Sequence, residues 1–295
     1  GPLLTIMVLC SGLLHECLFG GPFSAALRGF SNLNVRVVAY CENDPVLRGF
    51  CAQRLAHLEY DVLDFRDVRR LPRDLQTGRH DFGSPNIVLA SVPCQGRARL
   101  QWLTGRRGHP DDDLLFTALE VIKIVRPSVY VLEMVDEEYQ LTEHGSSDLA
   151  AVERLGRSLG YAVDPFVLHT HECGDGTHRA RYFGFGRSPL APPINAIPPP
   201  VRRQPEPVRR FLDPVHDVPD RLWVARGDEP VRHTARHTDA RLLGGLFGKL
   251  DKGYRVYDIH ASCVPAVTRF GNIIVHDDRG SKPGVRQLTV RELGR

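Results

Sequence analysis

Apolar positions in the first part of the chain come in short unbroken runs, spaced by stretches of helical periodicity. Thr5 to Cys10 (TIMVLC) has no polar alternation and predicts a buried strand. Phe23 to Phe30 has helical spacing. Val35 to Cys41 predicts a second strand, and Pro45 to Leu58 a helix after it. Asn86 to Ser91 (NIVLAS) predicts another strand, Leu114 to Val125 an amphipathic helix, and Ser128 to Leu132 a further strand. Leu149 to Leu159 reads as a helix stopped by Gly160, a residue suited to the left-handed turn past a helix end. Tyr182 to Gly186 closes the series as a short aromatic strand. Strands alternating with helices predict an α/β fold with an open, mostly parallel sheet covered on both faces. Ligands of such sheets sit beyond the carboxyl ends of the strands, so chemistry is expected there.

The pattern breaks after this point. Ser188 to Val208 holds prolines at 189, 192, 193, 198, 199, 200, 205 and 207, which predicts an extended connector. Arg-rich and Gly-rich segments of little periodicity follow. The expected organisation is a first domain over 3–187, the connector over 188–208 and a small irregular lobe over 209–268. Residues 269–295 are expected to return to the first domain.

Composition adds three points. Hydrophobic residues make up 42% and charged residues 25%, as in soluble globular proteins. No apolar run reaches about 18 residues, so no membrane span is expected. Seven irregularly spaced cysteines without a CxxC pair argue against a zinc site and fit a reduced, intracellular setting: the nucleus in a eukaryote, the cytoplasm or nucleoid in a bacterium. The net charge of +3 is uneven: residues 201–295 carry 18 Lys/Arg against 12 Asp/Glu, while the remainder carries 20 against 23. A basic final third fits either a polyanion partner or a solvated basic surface.

Three short motifs stand where strands end. Val92-Pro93-Cys94-Gln95 follows NIVLAS, and a cysteine on a proline-held turn at a strand end is positioned as a nucleophile. Alone it fits a buried structural thiol equally well. Glu133 ends the next strand, where a carboxylate faces the same crevice or simply solvent. Arg179 and Arg181 alternate in Thr177-His178-Arg179-Ala180-Arg181-Tyr182 and so share one face of an extended strand, suited to a carbonyl, carboxylate or phosphate.

In this order and with these gaps, the three motifs resemble those of the cytosine-C5 DNA methyltransferases, which carry a Pro-Cys-Gln loop, a Glu-Asn-Val strand end and a Gln-x-Arg-x-Arg strand. Further matches are Tyr40-Cys41-Glu42-Asn43-Asp44, Leu63-Asp64-Phe65, Asp112 to Phe116, Ala261 to Thr268, and Arg286-Gln287-Leu288-Thr289 through Leu293. His178 to Phe183 is similar to the eukaryotic de novo branch. The resemblance runs from about Val8 to the chain end. Met134 stands for the family's Asn, Thr177 for its Gln, and Arg97 and Leu100 where small or hydroxyl residues usually follow.

The resemblance implies a Rossmann-like methyltransferase sheet with a target-recognition lobe. It also implies transfer of a methyl group from S-adenosylmethionine, leaving S-adenosylhomocysteine, to C5 of a cytosine flipped out of duplex DNA. Cys94 would add to C6, Glu133 would bond N3 and the amine, and Arg179 and Arg181 would bind the O2 carbonyl. Ser11, Gly12, Gly20, Gly21, Glu42, Asn43, Asp64, Phe65 and Pro93 would hold the cofactor, Glu42 at the ribose and Asp64 at the adenine amine. Gln95, Arg97, Arg99, Arg106 and Arg107 would lie on a loop closing over DNA, with Arg241, Lys249 and Arg255 as lobe contacts. A tRNA cytosine-C5 methyltransferase and a catalytically impaired DNA-binding or regulatory subunit are the alternatives. The family's last motif, a Gly-Asn-Ser helix, is absent after Leu293, so a second polypeptide or a homodimer mate is expected to supply it unless the gene continues.

Overall fold

The computed structural model describes residues 3–10, 34–56, 58–78, 83–93, 113–135, 148–174, 177–178, 180–191, 206–226, 242–245, 255–260, 264–265, 274–280 and 284–289. The chain divides into two compact units, one of Gly1–Val167 with Arg181–Ile197, the other of Leu168–Ala180 with Pro198–Arg295.

The first unit is built on a seven-stranded sheet. Its elements in chain order are β1 (Leu3–Leu9), β2 (Asn34–Cys41), α1 (Pro45–Leu55), β3 (Leu63–Phe65), α2 (Leu71–Gln76), β4 (Ile87–Ser91), α3 (Leu114–Val125), β5 (Val129–Val135), α4 (Asp148–Ser158) and β6 (Ala162–His169). After β7 (Thr177–His178) comes β8 (Ala180–Arg187). The order across the sheet is β3-β2-β1-β4-β5-β8-β6. Pairing is parallel among the first five, and β8 runs antiparallel to β5. The chain therefore reverses its winding direction beside β1 and β4, where such sheets open a crevice at the strands' carboxyl ends.

Local chemistry fixes these elements. The Asp44 carboxylate caps α1, accepting from the amides of Val46 (2.8 Å) and Leu47 (3.2 Å) ahead of a proline at the first turn. α3 buries Leu114, Leu115, Ala118, Leu119, Val121, Ile122 and Val125, and ends at Arg126 in the left-handed region. β1 and β4 are pinned at their amino ends by Asn86, whose Oδ1 accepts from the Thr5 amide (2.8 Å) and hydroxyl (2.9 Å).

At the far side of the sheet Tyr130 of β5 is fully buried, and its ring meets Tyr161 edge-on at 5.1 Å. Gly186 is its register partner on β8, and a Cβ there would fall inside the Tyr130 ring. Gly186→Ala is expected to lower stability by about 1–3 kcal/mol through overpacking. Gly49→Ala, in a helical position with open space around it, should raise stability by about 0.5–1 kcal/mol. Urea unfolding of both variants checks the pair; equal signs would contradict it.

The second unit holds a five-stranded sheet, β10-β11-β13-β14-β9, from β9 (Trp223–Arg226), β10 (Leu242–Gly245), β11 (Arg255–Asp258), β13 (Ile274–Asp277) and β14 (Gly284–Gln287). β12 (Val264–Pro265) pairs instead with β7. Val208, Leu212, Tyr257, Ile259 and Val275 form its apolar cluster. This corrects two expectations. The lobe is a sheet, not irregular structure. The described strands of 269–295 do not rejoin the first unit, because β13 and β14 pair with each other and with β11 and β9.

Among the described residues, no helix is long and apolar enough to cross a membrane.

Candidate active site and cofactor cavity

The carboxyl ends of β4 and β5 and the amino end of β8 bring three polar side chains together. Ser91 of β4 and Glu133 of β5 are register partners on adjacent parallel strands, so their side chains leave the same face. The Ser91 hydroxyl donates to Glu133 Oε2 at 2.5 Å. Arg181, on β8 beside the end of β5, places Nε 2.9 Å from Glu133 Oε1. The carboxylate is mostly buried, with 15% of its side chain exposed. Each oxygen thus has its own donor, which fixes the plane of the group and lowers the cost of keeping a charge there. Cys94 follows Ser91 by three residues in the chain.

Next to this cluster a cavity of about 270 Å³ opens between the ends of β1, β2 and β4. Its polar lining includes Glu42, Asn43, Asp44 and Asp67; Leu47, Val68 and Leu114 give it an apolar side. Glu42 is buried, its amide donates to the Phe65 carbonyl (3.2 Å), and its Oε1 accepts from the Asp44 amide (3.0 Å). Arg69 on the rim is held by Asp113 at 3.0 Å. Burial pushes the Cys41 thiol up, and Cys10, Asp67, Glu42 and Asp64 push it the same way. Cys41 therefore lines the cavity as a neutral thiol, in a negative field that favours a cationic guest.

The donor set fits S-adenosylmethionine. A buried strand-end carboxylate suits ribose hydroxyls, an apolar wall suits adenine, and the acidic field suits a sulfonium and an ammonium group. Glu42, Asn43 and Pro93 line the cavity. Asp64 and Phe65 do not. The Asp64 carboxylate lies 3.4 Å from Arg48 and accepts from the Tyr40 hydroxyl, while Phe65 is buried in the core. Asp67 lines the cavity instead, from the turn after β3, where one more aspartate among loop residues gave no sequence signal. Ser91 was also missed, because a serine at a strand end has no distinctive pattern.

Ser11, Gly12, Gly20, Gly21, Cys94, Gln95, Arg97, Arg99, Arg106, Arg107, Arg179, Arg241 and Lys249 lie outside the described residues. Arg255 opens β11, and its side chain lies outside them. No group of three or more potential metal ligands occurs among the described residues.

A family model for C-5 cytosine-specific DNA methylase matches residues 21–221. No curated protein matches the chain in sequence. Among solved structures, a mutant of Spodoptera frugiperda DNMT2 is similar at 15% identity and a TM-score of 0.57, covering 93% of this chain and 75% of that one. The S. pombe Dnmt2 methyltransferase is similar at 14% identity and a TM-score of 0.59, covering 99% and 85%. The Entamoeba histolytica methyltransferase EhMeth gives 12% identity and a TM-score of 0.61 over the same shares, 99% and 85%. At these identities the likeness is one of fold.

Proposed function

The chain belongs to the family of C-5 cytosine-specific DNA methylases, and from that premise we propose that it methylates C5 of a cytosine in double-stranded DNA, with Cys94 as nucleophile. The family uses S-adenosylmethionine, which supplies an electrophilic methyl group when bound. The observation that carries the reading is the Glu133 carboxylate held between Ser91 and Arg181, at the strand ends that adjoin an acidic cavity.

Cytosine C5 is too electron-poor to take a methyl group unaided. The Cys94 thiolate forms a bond to C6 and drives an electron pair toward C5, making it nucleophilic. Glu133 faces N3 and the exocyclic amine, and its carboxyl shares a proton with N3 as density enters the ring. Arg181 and Arg179 bind the O2 carbonyl, stabilising the charge that develops there. Once C5 carries the methyl group, its proton leaves to water or a nearby base. The S–C6 bond then breaks, freeing the Cys94 thiolate, and the N3 proton returns to Glu133. Glu42 would accept from the cofactor's ribose hydroxyls, and Asp67 would offer a further acceptor in the cavity. Gln95, Arg97, Arg99, Arg106 and Arg107 follow the nucleophile and supply phosphate and base contacts, with Arg241, Lys249 and Arg255 from the second unit.

The test is incubation with methyl-labelled S-adenosylmethionine in separate arms of mixed-sequence duplex DNA and a tRNA pool. Nucleosides are then identified by mass spectrometry. Labelled 5-methylcytosine in the DNA arm is expected. Label confined to tRNA would replace the DNA reading with an RNA one. Cofactor binding without label in either arm would make the chain a binding subunit.

A further inference from the structure

We propose that Ser91 is a positioning residue for the reaction, acting through Glu133 by keeping its carboxyl group anchored in both protonation states. The inference rests on the proposed role of Glu133.

Ser91 and Arg181, both held against Glu133, differ in chemistry. A guanidinium only donates, so Arg181 can satisfy Oε1 of a carboxylate but offers nothing to a carboxylic O–H. A hydroxyl donates once and accepts twice. With its hydroxyl 2.5 Å from Oε2, Ser91 can donate to that oxygen when Glu133 is ionised and accept from it when it carries a proton. A carboxyl that shares a proton with N3 and takes it back passes through both states in each turnover. With Ser91 in place the group keeps one fixed partner throughout and need not swing away from the base between them.

Position makes the arrangement specific. Ser91 is the last residue of β4 and the register partner of Glu133. It also lines the cofactor cavity, and the nucleophile lies three residues further along the same chain segment. One hydroxyl thus ties the acid to the strand that leads into the nucleophile loop. A misplacement of either group relative to the base slows reaction steeply, since catalysis depends on sub-ångström geometry.

Ser91→Ala should lower kcat about tenfold to a hundredfold, the usual consequence of losing one hydrogen bond to a charged group at a reacting centre. KM for the nucleic acid should stay near wild type. Ser91→Thr keeps the hydroxyl on a strand that tolerates β-branching, and should restore kcat. A wild-type kcat in Ser91→Ala, or a Ser91→Thr variant as slow as Ser91→Ala, would overturn the proposal. If Glu133→Gln itself keeps full turnover, the role of Glu133 fails instead, and the two failures are told apart.

Discussion

Cys94→Ser is expected to abolish methyl transfer, by roughly four orders of magnitude or more, and to leave binding of S-adenosylmethionine unchanged. The asymmetry follows from what the thiol does. A thiolate is a strong nucleophile at neutral pH, and a serine hydroxyl without a dedicated base is not. The bond it makes is to the base, so the cofactor cavity loses nothing. Oligonucleotides bearing 5-fluorocytosine check the assignment directly. With fluorine at C5 there is no proton to remove after methylation, the S–C6 bond cannot break, and wild-type protein should remain attached through denaturing electrophoresis. Cys94→Ser should give no such band. Cys10 is the informative control because it lines the cavity from the end of β1. Cys10→Ser should alter cofactor affinity, measured calorimetrically, and still be trapped. Trapping lost in Cys10→Ser and kept in Cys94→Ser would refute the nucleophile.

The contrast between strands explains what the sequence revealed. β1, β2, β4 and β5 lie inside the sheet, carry near-continuous apolar runs, and were legible from those runs alone. β3 has only three residues, too few for any periodicity. β6 was missed because Asp164-Pro165 interrupts it and several of its side chains are exposed, as suits an edge strand. The second sheet was read as irregular for a related reason. Each of its strands has four residues, and two of its most buried positions are Asp277 and Arg286. A reading that sends charged residues to the surface cannot find a core built on an ion pair.

The site divides along the same line. Glu133 and Arg181 were legible because motif spacing marked them, and the structure brings them together. Ser91 and Asp67 depend on which residues sit across a register or beside a turn, information that only the folded chain contains.

The ion pair in that second core should dominate the stability of its unit. Asp277 and Arg286 are both fully buried, with Arg286 Nε 2.8 Å from Asp277 Oδ2. Arg279 adds Nε to Oδ1 at 2.9 Å and Nη2 to Oδ2 at 2.8 Å, and also reaches the Asp213 carbonyl at 2.9 Å. Asp277→Asn leaves the buried Arg286 without its carboxylate, at a cost of about 3–5 kcal/mol, and Arg286→Ala, which leaves Arg279 on Asp277, should cost less. The double replacement Asp277→Leu with Arg286→Met removes both charges and should recover most of that loss. The exposed pair Arg210–Glu206, 2.7 Å apart, is the control: Glu206→Ala should change stability by less than about 0.5 kcal/mol. Acid should act through the same aspartate. Burial pushes the Asp277 carboxyl up, but hydrogen bonds from Arg279 and Arg286 outweigh it and hold the group at about 2. A folded value below the unfolded one of about 3.9 contributes stability that is complete above pH ~4 and is lost as pH falls through ~2, a change of about 2–3 kcal/mol. Trp223 lies on β9 within this sheet, and Trp102 is the chain's other tryptophan. In a Trp102→Phe background, fluorescence therefore reports unfolding of the second unit. The expected result is a denaturation midpoint that drops between pH 4 and pH 2 in the parent and stays flat in the Leu/Met double variant. A parent midpoint independent of pH over that window, or single variants as stable as the parent, would show that the pair carries no such load.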